Sequence, residues 1–504
     1  MKDKYFFIII GIYVFFSIIL FDPKQDTGGD NAIYLSLGKS IISLKGYRDI
    51  YKPDEPLHTQ YPPGYPLLLS TLLLFTKPQN PVPFKFLNTL FGALSLFLFY
   101  FLFKKKLKEY LLYGLLMLIA INPVYIEYSH KILSEIPYIF FSFLAIYLFE
   151  KFLKKESLLL LIFLSILSTF PYYIRTAGIT MIFAIFIALL INRKFKSSIL
   201  YTIILFFLIL PWILRGRMIG NTGGYKEQIL SKNIYDLNAG RITFFDFITR
   251  ILQNLKIYLF EITPRFFLPF LQDLRFNFLF VLIGLLISII VLIGLFKEFS
   301  RKNSLIIFYF ILFFSLCLIW PVFWSSDRFL LPLLPLIFYF FMKGIEWINK
   351  RLSIKNEIPY YTGLFSLLFI SNAIYLLPVS FKNLNMLSNY IKGDKYSGYT
   401  SDYIRFYQAA EFAKKYTSKD AKFLVRKPEL FYLASERKSF CYPFTNDENK
   451  ILEAIDKANY IVIDAFYWTG TTRKYLIPVI LKYKDRFDVF YKTGVPETYI
   501  LLKK

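Results

Sequence analysis

The chain has 504 residues, 56% of them hydrophobic and 20% aromatic, with 60 Lys+Arg against 35 Asp+Glu and a net charge of +25. Soluble domains hold about 45–50% apolar residues, so the excess excludes an ordinary cytosolic enzyme, and it also excludes disorder, which requires low hydrophobicity. The basic residues stand in short clusters between long apolar runs rather than on one surface, a pattern that argues for a polytopic membrane protein and against a nucleic-acid partner.

At the N-terminus, Met1-Lys2-Asp3-Lys4 precedes an apolar run from Tyr5 to Phe21. No small-residue cleavage site follows, only Asp22-Pro23-Lys24-Gln25-Asp26, so the run reads as an uncleaved first span. A spanning helix needs about 17–25 apolar residues. Further candidates lie near Phe84 to Phe103, Tyr110 to Ile126, Ile136 to Glu150, Ser157 to Pro171, Thr176 to Ile191, Ser197 to Leu214, Asn277 to Leu295, Ser304 to Trp320, Phe329 to Lys343 and Pro359 to Leu377. The expectation is therefore about eleven spans.

One run, Tyr65 to Phe75, is short and follows Tyr61-Pro62-Pro63-Gly64, which suits an interfacial or re-entrant segment. If it does not cross, the clusters at Lys104 to Lys108, Lys151 to Lys155, Arg193 to Lys196, Lys297 to Lys302 and Lys343 to Lys355 share the side of the N-terminus. The positive-inside rule then gives N-terminus in and C-terminus out. This topology divides the chain into a transmembrane domain, residues 1–378, and a soluble extracytoplasmic domain, residues 379–504. Within the first lie two outer loops, 22–83 and 215–275. In the second loop, the stripe from Ile242 to Leu252 predicts a helix lying in the membrane interface.

The tail reads as a small α/β domain. Ser401 to Tyr416 is an amphipathic helix with Phe406, Ala409, Ala410 and Ala413 on one face. Ala421 to Val425 and Asn459 to Ile463 are buried strands, Pro428 to Ala434 is a helix, and Phe487 to Tyr491 pairs with Thr498 to Leu502 around Gly494-Val495-Pro496. About 120 residues suffice to bury such a core.

Several kinds of chemistry lack their residues. Two cysteines, Cys317 and Cys441, are too few for a disulfide framework, and two histidines, His58 and His130, form no metal-ligand spacing, so no metal motif is present and a divalent metal stays an open alternative. Ser36-Leu37-Gly38-Lys39-Ser40 resembles the end of a phosphate loop, but Ile33 stands where its first glycine belongs. What remains is a set of charges at membrane edges. Asp30 follows Thr27-Gly28-Gly29 and is placed to cap or start the helix Asn31 to Ile42. Glu135 opens a long apolar run, where an ionisable group needs a partner, such as Lys131 or an arginine, or an aqueous cavity. Arg175, Arg215, Arg265 and Arg328 share that outer edge. Snorkelling accounts for any one of them, whereas several beside two acids point to a site that binds an anionic group and removes a proton.

Gly29-Asp30-Asn31-Ala32-Ile33-Tyr34-Leu35, Gly46-Tyr47 and Tyr61-Pro62-Pro63-Gly64-Tyr65-Pro66 are followed by Ser134-Glu135-Ile136-Pro137 and Arg175-Thr176-Ala177-Gly178. Pro211-Trp212-Ile213-Leu214-Arg215 and Arg328-Phe329-Leu330-Leu331-Pro332 complete the series. In this order, over roughly residues 1–345, the chain resembles bacterial GT-C glycosyltransferases related to the protein O-mannosyltransferases of glycosyltransferase family 39 and to lipid A aminoarabinose transferase. The resemblance implies an inner-membrane, inverting enzyme that takes a sugar from a polyprenyl-phosphate donor, without a further cofactor, and transfers it to a lipid, glycan or protein acceptor outside the cytoplasm. It implies Asp30 as general base, Glu135 as its support, some of Arg175, Arg215, Arg265 and Arg328 on the donor phosphate, and Tyr61, Pro62 and Pro63 shaping the site. Many relatives have Asp-Glu where this chain has Asp30-Asn31. The aminoarabinose transferases carry Lys-Pro-Pro in place of Tyr61-Pro62-Pro63, which argues against that donor and against lipid A. The alternative from another class is a flippase of lipid-linked sugars, which would show related halves and broken helices around a midplane site. Neither is found in the sequence.

Overall fold

A computed structural model describes residues 4–220, 225–233, 235–236, 239–270, 278–353 and 357–504. Arg275, Asn277 and Lys355, which bound three of the expected segments, lie outside the described residues.

Among the described residues, seven helices are long and apolar enough to cross a membrane: Val82–Phe103, Glu135–Lys154, Phe195–Met218, Phe278–Lys297, Arg301–Ile319, Asp327–Arg351 and Glu357–Ile391. An eighth results if Glu109–Ala120 and Pro123–Ser129 form one span across their 53° bend. The bend has a local cause, because Pro123 starts the second piece and the Asn122 side chain caps it by accepting a hydrogen bond from Tyr125 N at 3.2 Å. Lys4–Ile19, Leu158–Ile174 and Thr176–Ile191 are apolar but shorter. The expected segments are helical within the described residues; by length and composition alone seven or eight of the helices pass as spans, and these shorter ones stand beside them. The shorter helices end early for a visible reason in one case: Arg175 is extended between Leu158–Ile174 and the 3₁₀ turn Thr176–Gly178.

The helices pack by small residues where apolarity supplies no drive for association. Gly294 of Phe278–Lys297 lies against the Phe340 carbonyl, and Gly344 lies against the Ile290 carbonyl, so a Cβ at either would overlap backbone of the facing helix. Helix Phe244–Ile257 begins in a Thr243/Asp246 capping box. Phe244, Phe245 and Leu252 are exposed on it while Arg250 and Asn254 are buried. Asn254 Nδ2 donates to the carbonyls of Leu318 at 2.8 Å and Trp320 at 2.7 Å.

Two compact units are present. One comprises Met1–Asp22, Lys85–Thr222 and Thr243–Asn385, the other Pro23–Phe84, Gly223–Ile242 and Met386–Lys504. This differs from the division at residue 378, because the first outer loop folds with the tail. The Tyr51 carbonyl accepts from Ser439 N at 2.8 Å, the Ile50 carbonyl from Lys438 Nζ at 2.5 Å, and the Gln25 carbonyl from Tyr399 OH at 3.1 Å. These bonds join segments hundreds of residues apart, which hydropathy cannot register.

The second unit is built on a five-stranded sheet of order β2-β1-β3-β5-β4, with β1 Lys422–Leu424, β2 Lys438–Phe440, β3 Tyr460–Ile463, β4 Phe487–Lys492 and β5 Tyr499–Lys503. β1 pairs in parallel with β2 and β3, whereas β5 pairs antiparallel with β3 and β4. Its core holds Leu424, Ile451, Ile455, Ile461, Leu476 and Leu501. Helix Ser401–Tyr416 buries the expected face of Phe406, Ala409, Ala410 and Ala413.

Candidate functional site

In the sheet-bearing unit, Asp30 is the first residue of helix Asp30–Ile42. A carboxylate there is favoured by the helix dipole. Gly29 holds the cap position and no side chain caps the helix; Asp30 Oδ1 instead accepts a hydrogen bond from Tyr61 OH at 2.9 Å. Gly29 is required at this point, with φ at +104° and no room for a side chain, since a Cβ would strike the Glu429 carboxyl and crowd Lys427 Nζ. Lys427 Nζ donates to the Gly28 carbonyl at 2.5 Å, and the charges of Lys427 and Glu429 both act on Asp30. Burial holds the Lys427 ammonium below its usual range and pushes the Glu429 carboxyl up. Asn31 shapes the approach by accepting from Gly29 N at 3.2 Å and donating to Gln25 Oε1 at 3.1 Å.

Tyr61 is fixed from behind. Its backbone N donates to His58 Nε2 at 2.7 Å, its ring stacks on the His58 imidazole at 5.5 Å and 18°, and it packs on Tyr34 at 4.9 Å. Because Nε2 accepts, the imidazole proton is on Nδ1, which donates to Asp49 Oδ1 at 2.6 Å. Burial pushes the Asp49 carboxyl up, but hydrogen bonds from His58 and Lys52 outweigh it and leave the group below its usual range. The result is a chain from buried Asp49 through buried His58 to Tyr61 and on to Asp30. Pro62 takes part through its carbonyl, which accepts from Tyr47 OH at 3.0 Å, and Pro63 caps helix Gly64–Leu73. The Ser36 to Ser40 run is helical, part of Asp30–Ile42, and forms no phosphate loop.

In the helical unit, Glu135 starts helix Glu135–Lys154 and is wholly buried. Two arginines meet it. Arg175 Nη1 and Arg328 Nε both donate to Glu135 Oε1, the second at 2.5 Å. Their side chains are 14% and 24% exposed, and both guanidiniums lie about 6 Å from the Phe329 ring centroid, at 5.9 and 6.0 Å. Two partly exposed guanidiniums thus meet on one buried carboxylate, and such forks are of the kind that bind an anion. Glu135 Oε2 is buried and accepts no hydrogen bond from the described residues. Lys131, the other expected partner, pairs with Glu127.

The remaining arginines divide. Arg265 donates to the Glu261 carbonyl at 3.0 Å, and its charge reaches Asp327, the neighbour of Arg328. Arg215 lies 5.0 Å over the ring of Trp212 on its own helix. Sequence reasoning missed Asp49, His58, Lys427 and Glu429. His58 could have been found, since it is one of two histidines and stands three residues before Tyr61. Lys427 and Glu429 could not, because almost 400 residues separate them from Asp30. Among the described residues, no three His, Cys, Asp or Glu side chains group as metal ligands.

Residues 60–214 match the family described as dolichyl-phosphate-mannose-protein mannosyltransferase, a stretch holding Tyr61, Pro62, Pro63, Glu135 and Arg175. No curated protein matches the chain. Two solved structures of an oligosaccharyltransferase from Archaeoglobus fulgidus share its fold. One, tethered to an acceptor peptide containing the NVT sequon, aligns with a TM-score of 0.54 and 13% identity over 99% of this chain and 74% of that one. Another, in complex with an inhibitory peptide and a dolichol-phosphate, aligns with a TM-score of 0.56 and 12% identity over 100% and 74%. Over residues 60–214 the chain is thus similar to the protein mannosyltransferases, and over its whole length it shares the fold of these oligosaccharyltransferases.

Proposed function

We propose that the chain is an inverting glycosyltransferase of the inner membrane that moves a sugar from an undecaprenyl-phosphate donor to an acceptor hydroxyl on the extracytoplasmic side, with Asp30 as general base. The N-terminus is inside and the C-terminus outside. The observation that carries this reading is Asp30 itself, an acid at the start of helix Asp30–Ile42 whose Oδ1 accepts from the Tyr61 hydroxyl at 2.9 Å. The family match and the shared fold support the reaction class.

In this reaction the acceptor oxygen attacks the anomeric carbon as its proton passes to the Asp30 carboxylate. The bond from that carbon to the phosphate oxygen breaks, and the electron pair leaves on polyprenyl phosphate. A single displacement inverts the anomeric centre. Arg175 and Arg328, held together by Glu135, meet the growing phosphate charge, with Arg265 adding to the positive field. Glu135 therefore acts on the arginines rather than on the base. The site chemistry draws its energy from the phosphate ester and needs no nucleotide.

Replacing Asp30 by Asn tests the base. Transfer of labelled sugar from undecaprenyl-phosphate mannose to membranes of a deletion strain is expected to fall by about 10²–10⁴ with the melting temperature unchanged. Turnover near that of the wild type would remove Asp30 from the chemistry.

A further inference from the structure

In the sheet-bearing unit, beside Lys427, stands an arginine that the reaction described above does not use. Arg426 is 7% exposed. Its Nε donates to Thr471 Oγ1 at 2.7 Å, and no hydrogen bond joins Nη1 or Nη2 to any described residue. The Nη1 and Nη2 donors thus meet no acceptor of a described residue and are left to solvent or to a ligand. The guanidinium is held in place by aromatic rings: Phe444 at 4.5 Å, Trp468 at 4.9 Å and Tyr235 at 5.7 Å. Such a cage fixes the direction of a planar fork before any anion arrives.

The neighbours are of the kind an anion would use. Lys427 Nζ lies 5.0 Å from the same Trp468 ring, which is 46% exposed. Thr469 and Thr471 join their hydroxyls at 3.1 Å on a loop whose Gly470 has open space where a side chain would be. Two acids stand nearby. Asp464 is committed elsewhere, Oδ2 accepting from Thr472 Oγ1 at 2.9 Å and Oδ1 from Phe466 N at 3.4 Å, and burial pushes its carboxyl up to about 6. Glu429 is likewise pushed up by burial and lies against Gly29, on the side of Asp30. Neither acid donates an oxygen to the fork of Arg426.

We propose that Arg426, with Lys427 and the Thr469–Thr471 loop, binds a phosphate or carboxylate group of the acceptor. Lys427 joins the two places, since its ammonium bonds the Gly28 carbonyl and its charge reaches Asp30. An acceptor sugar gripped by its anionic group at Arg426 would present a hydroxyl toward that acid. The assignment of the bound molecule as acceptor rests on the reading of Asp30 as base, whereas the anion site itself does not. The acceptor is then an acidic glycan or a phosphorylated lipid rather than a neutral peptide side chain.

The test uses the full-length protein in detergent and three probes: mannose 6-phosphate, glucuronate and uncharged mannose. Binding is read from tryptophan fluorescence, with Trp468→Phe identifying the reporter, and by calorimetry. Mannose 6-phosphate or glucuronate is expected to bind at least about tenfold more tightly than mannose. Arg426→Gln should weaken that binding at least about tenfold, the loss expected for charge-assisted hydrogen bonds, and Lys427→Met at least about threefold. Should Arg426→Gln fail to fold, Lys427→Met decides, its fold checked by melting temperature. Dihexanoylphosphatidic acid separates the sources: tighter binding than mannose 6-phosphate identifies a lipid phosphate, and weaker binding a glycan anion. No preference for the charged probes over mannose, or equal affinity in the wild type and the folded variants, overturns the proposal. Asp30→Asn separates the two readings, because it should keep full anion binding even where transfer is lost.

Discussion

The two candidate clusters handle charge in opposite ways. In the helical unit, Glu135 is buried and answered at once by Arg175 and Arg328, so the carboxylate is consumed in holding two cations. In the sheet-bearing unit, the Asp30 carboxylate accepts from the Tyr61 phenol, and the charges of Lys427 and Glu429 around it oppose each other. A doubly paired carboxylate is a poor base, because each guanidinium stabilises the ionised form. The two acids look alike in sequence, each near the end of an apolar segment, yet in the proposed reaction the first organises an anion site and the second takes the proton.

The largest effect should come from breaking the first cluster. Glu135→Gln removes the buried carboxylate on which two partly buried arginines meet, and stability should fall by about 3–5 kcal/mol. The melting temperature would show this, with Lys131→Gln as the control, since the half-exposed Lys131–Glu127 pair contributes at most about 1 kcal/mol. An equal, small loss in both variants would mean that Glu135 is not the hub of the triad.

A second prediction concerns pH in the sheet-bearing unit. Asp464 has its carboxyl raised to about 6, chiefly by burial, against an ordinary value of 3.8. A raised carboxyl favours the folded state below its unfolded pKa and loses that advantage as the pH rises through its folded pKa. Between about pH 4 and 6 the wild type should therefore lose about 3 kcal/mol from this group, and Asp464→Asn should not. Thermal melts of both proteins at pH 4 and pH 7 measure the difference. If the two proteins follow the same pH course, Asp464 is not held neutral by its surroundings.

The smallest of the three effects sharpens the role of Asp30. Tyr61→Phe removes one hydrogen bond to a carboxylate, worth about 1.5–3 kcal/mol, and should lower kcat about tenfold with the KM for donor unchanged. His58→Ala should produce the same kinetic pattern through Tyr61, because the imidazole touches the tyrosine backbone and ring but no reacting atom. A rise in donor KM instead would move Tyr61 from the base to the donor pocket.

Much of this was legible in the sequence. Hydropathy located every long helix, since a run of apolar residues long enough to cross hydrocarbon leaves few alternatives. Leu158–Ile174 and Thr176–Ile191 are shorter than the other expected spans. In the tail, alternation and turn residues gave helix Ser401–Tyr416 and strands β1, β3, β4 and β5 within two residues. β2, Lys438–Phe440, was missed, being only three residues long with a lysine at its start. The candidate acids were visible because charge is rare beside apolar runs, and an arginine partner for Glu135 was among the stated expectations. What the sequence could not carry was pairing at long range. The docking of the first loop on β2, the fit of Gly29 to Glu429 and the cage around Arg426 all depend on residues brought together only by folding.

The central claim is that this protein breaks the bond between sugar and polyprenyl phosphate. The direct measurement places purified protein in vesicles with doubly labelled undecaprenyl-phosphate mannose and acceptor membranes, and follows both labels. The account predicts that the sugar label passes to the acceptor while free undecaprenyl phosphate is released in equal amount. Movement of intact donor between leaflets with the glycosyl bond unbroken would contradict it and make the protein a flippase.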